Sequence, residues 1–269
     1  MKKLKIAQLA PFWYDVPPKN YGGTERIVSY ITEELVRRGH DVTLFAAEGS
    51  VTRAKLVSPV SSQILSKIQL YCDPVYLQAN ETVARVLFER ASEFDIIHSH
   101  ASFIPFPHSD KTATPNIHTL HNFMPRPTEQ ENDIFRRYRH LNFVSISNDF
   151  RRHFDLNYVA TVYHGTQLPP QYSTQEGEYL FWIGRVNKNK GELDAIEAAK
   201  LAGEKLVMAL SIRDDTREYV ETKIRPKATA TITLLENIPF DDVWGLYARA
   251  KALIFPIWWD EPFGMVMIE

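Results

Sequence analysis

The sequence contains one cysteine, Cys72. No disulfide can close within such a chain, and a reducing compartment is the simple setting for it. An excess of charge is lacking too: 31 Lys and Arg against 33 Asp and Glu leave a net charge of −2, without the basic surface that general nucleic-acid affinity needs, so no nucleic-acid partner is expected. Long apolar runs are also missing. The stretch 252–259 is apolar but contains Pro256, and it falls far short of the roughly 20 residues that span a bilayer. At the start of the chain Lys5, Gln8 and Pro11 break up any signal-peptide core. The expected location is cytoplasmic, with peripheral contact at the inner face of a membrane left open.

What is present is globular. Apolar residues make up 44% of the chain and charged residues 24%, proportions that bury a core. A length of 269 residues fits one large domain or two ordinary ones. Residues 4–10 read as an apolar strand and 11–20 as a proline-rich loop. Gly22 and Gly23 open a helix to about Arg38, with Ile27, Val28, Ile31, Leu35 and Val36 on its buried face, and Gly39 stops it. A strand over 40–47 completes a βαβ unit, which implies a parallel sheet. Further strands are predicted over 94–98, 116–120, 141–146 and 158–163, with helices over 74–92 and 128–139. The stretch LPPQYSTQEG at 168–177 reads as a linker. After it the alternation restarts: strands over 179–183, 206–212, 231–235 and 253–256, and helices over 191–201, 216–224 and 243–250. The expected fold class is α/β, two Rossmann-like doubly wound domains (1–168 and 169–269) facing a cleft at their strand ends.

The closing stretch FPIWWDEPFGMVMIE carries the densest chemistry. Pro262 pushes Glu261 out of helical geometry and into a loop. Gly264 permits close backbone approach, and the residues after it read as a first helical turn, whose free N–H groups and dipole make an anion site. Glu269 is expected about one turn inside that helix. Two carboxylates bracketing a phosphate site fit a ligand with hydroxyls on both sides of a phosphate, the layout of a nucleotide sugar.

Other positions leave alternatives open. Gly22-Gly23 suits approach to a phosphate or sugar, and equally a tight turn; Glu25 reads as a dipole-compensating carboxylate. In FDIIHSH, His98 and His100 share a face near a strand end but need not act together. A substrate contact and a satisfied structural histidine are both compatible with them, whereas a metal site lacks a third ligand nearby. His121 raises the same alternatives, and His164 ends another strand just before the linker. Arg185, Lys188 and Lys190 follow a strand with no acid among them. Arg185 can grip a phosphate as a planar fork and Lys190 as a point charge, or the turn is simply solvated. Six arginines between Arg126 and His153 face four acids, and a solvated helix face is the reading preferred over an anionic lipid or phosphorylated acceptor.

Taken in order, PPKNYGGTERIVSYITEELVRRGHDVTLFA, FDIIHSH, FVSIS, VYHGTQL, FWIGRVNKNKG and DEPFGMVMIE resemble the GT-B-fold retaining glycosyltransferases of family 4. The resemblance implies transfer of a sugar from a nucleotide-diphosphate donor, such as a UDP- or GDP-sugar, with retention of configuration and without metal or other cofactor. It implies that Gly22 and Gly23 lie at the donor phosphates, that Arg185 and Lys190 hold the diphosphate, and that Glu261 binds donor-sugar hydroxyls. Glu269 would take the ribose hydroxyls, Phe263, Gly264, Met265 and Val266 would line the phosphate site, and His100 matches the family's cleft histidine. Retention rests on the resemblance alone, and the residues leave open His100 as the base of an inverting displacement. The acceptor (sugar, lipid-linked or small molecule) is not encoded legibly.

Family members continue beyond the point matching Glu269. The expectation is therefore a chain shortened within its second domain: a shortened gene, a fragment, or a half completed by a second polypeptide, and not a competent transferase alone. A non-catalytic nucleotide-sugar-binding subunit supporting another transferase is the alternative, and a sugar-nucleotide epimerase a third reading.

Overall fold

The computed structural model describes residues 2–20, 22–68, 73–121, 129–168 and 174–269, with the backbone alone for 129–132. Cys72, Arg126 and positions 169–173 of the expected linker lie outside the described residues. The chain divides into two compact units, Met1–Pro18 with Gly22–Gly165, and Lys19–Tyr21 with Thr166–Glu269.

Unit 1 runs β1 (Lys5–Leu9), α1 (Gly23–Arg37), β2 (Asp41–Phe45), β3 (Lys55–Val57), α2 (Pro74–Glu89), β4 (Ile96–Ser99), α3 (Phe106–Ser109), β5 (Asn116–Leu120), α4 (Glu129–Arg137), β6 (Phe143–Ser145) and β7 (Tyr158–Thr161). Its seven-stranded sheet has the order β3-β2-β1-β4-β5-β6-β7, and every pairing is parallel. Strands buried on both faces read as near-continuous apolar runs, which is why 4–10 and 40–47 are legible as strands. Val28 of α1 packs with Leu44 and Ala46, while Val83 and Leu87 of α2 pack with Leu9, Phe45 and Ile97. Alternate residues of one strand thus face opposite layers. The short β3 and α3 were not anticipated, since three or four residues give too little periodicity to read.

Unit 2 runs β8 (Tyr179–Arg185), α5 (Glu192–Ala202), β9 (Leu206–Ser211), α6 (Asp214–Tyr219), β10 (Ile232–Glu236), α7 (Phe240–Ala248) and β11 (Ala250–Leu253). Its parallel sheet has the order β10-β9-β8-β11. Trp182, Met208 and Leu210 pack with Ala195, Ile196 and Ala199 of α5; Phe181 and Ala209 pack with Val243 of α7. Each unit is a Rossmann-like α/β module with a parallel sheet, as expected.

Three expectations need correction. The buried side of α1 is polar as well as apolar: Glu25, Arg26, Ser29 and Thr32 are buried with Ile27 and Val28, while Ile31, Leu35 and Val36 are only partly so. The last strand lies over Ala250–Leu253 instead of 253–256, because Ala250 and Leu253 take the register positions opposite Tyr179 and Phe181 around a bulge. After Gly264 there is a single 3-10 turn, Met265–Met267, and not an α-helix. Met265 and Val266 therefore sit in that turn, and Glu269 follows it.

Candidate functional site

In an open parallel sheet ligands bind beyond the carboxyl ends of the strands where the strand order reverses. In unit 1 that point lies between β1 and β4. Gln8, the single polar residue within apolar IAQLA, stands opposite His98 in register and is fully buried. The His100 amide continues the pairing by donating to the Leu9 carbonyl (2.9 Å).

The side chains at this edge form one chain of contacts. Gln8 Oε1 lies 3.0 Å from His100 Nε2 and Gln8 Nε2 lies 3.5 Å from His98 Nδ1. His100 Nδ1 is 2.7 Å from His121 Nε2, and His121 Nδ1 is 3.3 Å from His164 Nε2. At the other end His98 Nε2 is 2.7 Å from Thr119 Oγ1. The His98 and His100 rings lie 4.1 Å apart, centre to centre, and both contact Gln8. Burial holds His98 and His164 at about 4 and His100 and His121 well below the ordinary imidazole value, so the rings are neutral at pH 7. Among the described residues no group of three or more His, Cys, Asp or Glu is placed to hold a metal ion. Gln8 was missed in the sequence; its signal is the lone polar residue in an otherwise apolar strand.

At the start of α1, Gly22 has φ 151°, and a Cβ there would come within 2.7 Å of Pro18 Cγ, whereas a Cβ on Gly23 would meet nothing within 4 Å. Packing thus explains Gly22, and Gly23 presents open backbone. Glu25 is no surface dipole partner. It is 4% exposed, and burial raises it to about 7.

In unit 2 the strand order reverses between β8 and β11, which brings the loop after β8 beside the loop after β11. Gly191 (φ 69°) ends a short 3-10 turn over Lys188–Lys190, and a Cβ there would sit 2.0 Å from the Pro256 carbonyl oxygen. This close approach locks the two loops together. The Trp258 amide donates to the Asn189 carbonyl (2.8 Å), and the Trp258 indole N–H donates to Asp194 Oδ2 (2.7 Å). Below them Glu192 Oε1 accepts the Asn187 amide (2.6 Å), and burial raises this carboxyl above its ordinary range.

The Lys190 ammonium pairs with Glu261 and stands 4.9 Å from the Trp259 ring centre and 5.8 Å from that of Phe255. Arg185 ends β8, and among the described residues its guanidinium has no hydrogen-bond or ion-pair partner. The amides of Gly264, Met265 and Val266 precede the first bond of the closing turn, Met267 N–H to Gly264 C=O (3.0 Å). Phe263 lies in the same loop, and Glu269 Oε2 accepts the Tyr247 hydroxyl (3.2 Å). Unit 2 therefore gathers Arg185, Lys190 and Glu261 at one strand-end edge, with a cation held among aromatic faces and a carboxylate.

The family model of Glycosyltransferase Family 4 matches residues 21–167, more than half of the chain. The chain belongs to Glycosyltransferase Family 4. Solved structures of this fold include AviGT4, a glycosyltransferase involved in avilamycin A biosynthesis (23% identity, TM-score 0.65, covering 98% of this chain and 74% of that one). Alr3699/HepE of Anabaena, in complex with UDP and glucose, is 15% identical (TM-score 0.67, 98% and 77%). The catalytic domain of starch synthase IV of Arabidopsis thaliana, bound to ADP and acarbose, is 14% identical (TM-score 0.65, 95% and 78%). At these identities the likeness is one of fold. Among curated protein sequences none matches this chain significantly.

The described arginines in the arginine-rich stretch of this family 4 member, Arg136, Arg137, Arg139, Arg151 and Arg152, are all exposed. Arg136 pairs with Asp133, Arg139 with Asp155 and Arg152 with Asp149, all on exposed side chains. Among the described residues no helix is long and apolar enough to cross a membrane.

Proposed function

We propose that this chain transfers a sugar from a nucleotide-diphosphate donor to an acceptor hydroxyl with retention of anomeric configuration. The observation that carries the reading is the Lys190–Glu261 pair beside Arg185 where the strand order of unit 2 reverses. A departing diphosphate needs positive charge aimed at it, and Lys190, held in place by Glu261, supplies it together with the guanidinium of Arg185. Arg185 offers a planar fork and Lys190 a point charge, so this reading assigns no metal or other cofactor to the step. Glu261, already neutralising Lys190, takes donor-sugar hydroxyls, and Glu269 takes the ribose hydroxyls. Gly264, Met265 and Val266 offer backbone N–H groups to a phosphate, beside Phe263.

In unit 1 the same reading takes Gly23 as backbone able to approach a ligand, with Gly22 packed beside it, and His100 as a polar contact to it. Support for the donor class comes from the fold relatives, of which HepE is in complex with UDP and glucose and starch synthase IV is bound to ADP. The acceptor class stays open among sugars, lipid-linked carriers and small molecules.

The test is calorimetry with UDP, GDP and ADP, followed by incubation with the matching sugar nucleotides and anomer analysis of the product. Binding of a nucleoside diphosphate that weakens in Glu269→Ala is expected, together with a retained anomer. Absence of nucleotide binding overturns the donor reading, and an inverted product overturns retention. Turnover by the purified chain also decides whether these 269 residues suffice or whether a second polypeptide is required.

A further inference from the structure

A neutral imidazole carries one N–H and one lone pair, so a bond between two imidazole nitrogens needs a donor on one ring and an acceptor on the other. His121 is bonded on both sides, through Nε2 to His100 Nδ1 (2.7 Å) and through Nδ1 to His164 Nε2 (3.3 Å). If His121 donates from Nε2, its Nδ1 must accept from His164. The direction of one bond fixes the direction of the next.

Gln8 fixes the first one. Its carbonyl Oε1 can only accept and its amide Nε2 can only donate. Oε1 faces His100 Nε2 at 3.0 Å, so the proton of that bond sits on His100 Nε2, and Nδ1 keeps the lone pair. His121 then donates from Nε2 to His100, and His164 donates from Nε2 to His121. On the other side Gln8 Nε2 faces His98 Nδ1 at 3.5 Å, so His98 accepts there and donates from Nε2 to Thr119 Oγ1 at 2.7 Å. All four rings end as the Nε2–H tautomer. Turning the Gln8 amide over would convert all four to Nδ1–H together. Gln8 is fully buried and His100 is 3% exposed, and burial keeps the rings from charging, so a proton from water does not blur the pattern.

We propose that Gln8, with His121 and His164, is a positioning residue that sets one common tautomer, in which His100 donates from Nε2 and its one lone pair, on Nδ1, is already engaged by His121. His100 then does not serve as a general base, because its Nε2 carries the proton donated to Gln8 and its Nδ1 lone pair is occupied by the His121 N–H. This consequence rests on the proposed transferase reading; the tautomer pattern does not.

The experiment is long-range proton–nitrogen correlation NMR on the full chain with 15N-labelled histidine, recorded without donor so that its result is independent of whether the chain transfers sugar. Protonated Nε2 and unprotonated Nδ1 are expected for His98, His100, His121 and His164. In Gln8→Glu both oxygens accept once the new carboxyl is ionised, so above its titration His98 alone should turn to Nδ1–H while the other three rings keep their tautomer. Thr119→Val, which keeps the Gln8 amide in place, should leave all four as Nε2–H. A mixture of tautomers in the unaltered chain, a common Nδ1–H form, or reversal of His98 in Thr119→Val overturns the proposal. The unaltered chain and Thr119→Val suffice if Gln8→Glu does not fold.

Discussion

Lys190 and Glu261, 71 positions apart, meet in an ion pair whose side chains are 14% and 16% exposed. The pair joins the loop after β8 to the loop after β11. Removing one member of a largely buried pair strands the other charge. Lys190→Met or Glu261→Leu should therefore each cost about 2 kcal/mol of stability, less than a fully buried pair because some water reaches this one. The double variant Lys190→Met/Glu261→Leu should recover more than half of that loss. Chemical denaturation of all four proteins measures the cycle, and strictly additive losses would contradict the pairing. On the proposed function, Lys190→Met should also lower the transfer rate by about 100-fold.

Two left-handed glycines give a matched comparison. Gly191 and Gly203 have φ 69° and 67°, but a Cβ on Gly191 meets the Pro256 carbonyl oxygen at 2.0 Å, and one on Gly203 meets nothing within 4 Å. Gly203→Ala should cost about 1 kcal/mol of backbone strain. Gly191→Ala should cost clearly more and also loosen the contact of Trp258 with Asn189. Thermal unfolding separates them, and equal losses would show that the loop gives way freely.

Glu25 should make stability fall as the solution becomes alkaline. Its carboxyl titrates at about 7 in the fold against 4.5 ordinarily, so the folded chain holds a proton that the unfolded chain releases first. The stabilisation is complete below pH 4.5 and is lost as the pH rises through 7. Glu25→Gln keeps a neutral side chain throughout, so it should gain on the parent by about 3 kcal/mol at pH 8 and lose that advantage near pH 4.5. A difference that does not change with pH would sink this account.

The histidines act in the opposite direction. His118 is 1% exposed and titrates at about 3 because of its burial; its Nδ1 has no partner among the described residues. The unfolded ring takes up a proton as the pH falls through 6.5, while the folded ring does not until much lower. Its stabilisation is present above pH 6.5 and is lost toward pH 4, at about 1.4 kcal/mol per pH unit. The ring packs 5.0 Å from Phe106 and 5.7 Å from Phe143. His118→Phe should fit this aromatic neighbourhood and flatten the acid limb of the stability curve by that amount, as read from denaturation between pH 6 and 4.

The fold was legible wherever a strand is buried on both faces. The apolar runs around Ile6, Leu44 and Trp182 mark their strands, and the glycines beside α1 and α5 mark the turns that lead into those helices. The misplaced last strand has a physical cause: Ile254 still donates to the Phe181 carbonyl and packs on the core of unit 2, whereas Phe255 and Pro256 are apolar where the loop lies against Lys190 and Gly191. The site was legible in its charges and not in its supports. Arg185, Lys190 and Glu261 announce themselves by type and position, whereas Gln8 and Tyr247 act through contacts with His100 and Glu269 that no sequence spacing encodes. The polar burial along the first three turns of α1 was hidden for the same reason, since Glu25, Ser29 and Thr32 look like an ordinary solvent face.

The uniform strand direction carries a kinetic cost. Both sheets are built from parallel pairs, so no neighbour can be reached through a tight hairpin and each contact waits on a crossover. Chains whose pairings span long separations close large loops before gaining contacts, and they fold slowly. Refolding of this protein from denaturant should therefore be slow, with sheet edges such as Lys55–Val57 and Ile232–Glu236 uncovered in the interval, and its yield should fall as protein concentration rises.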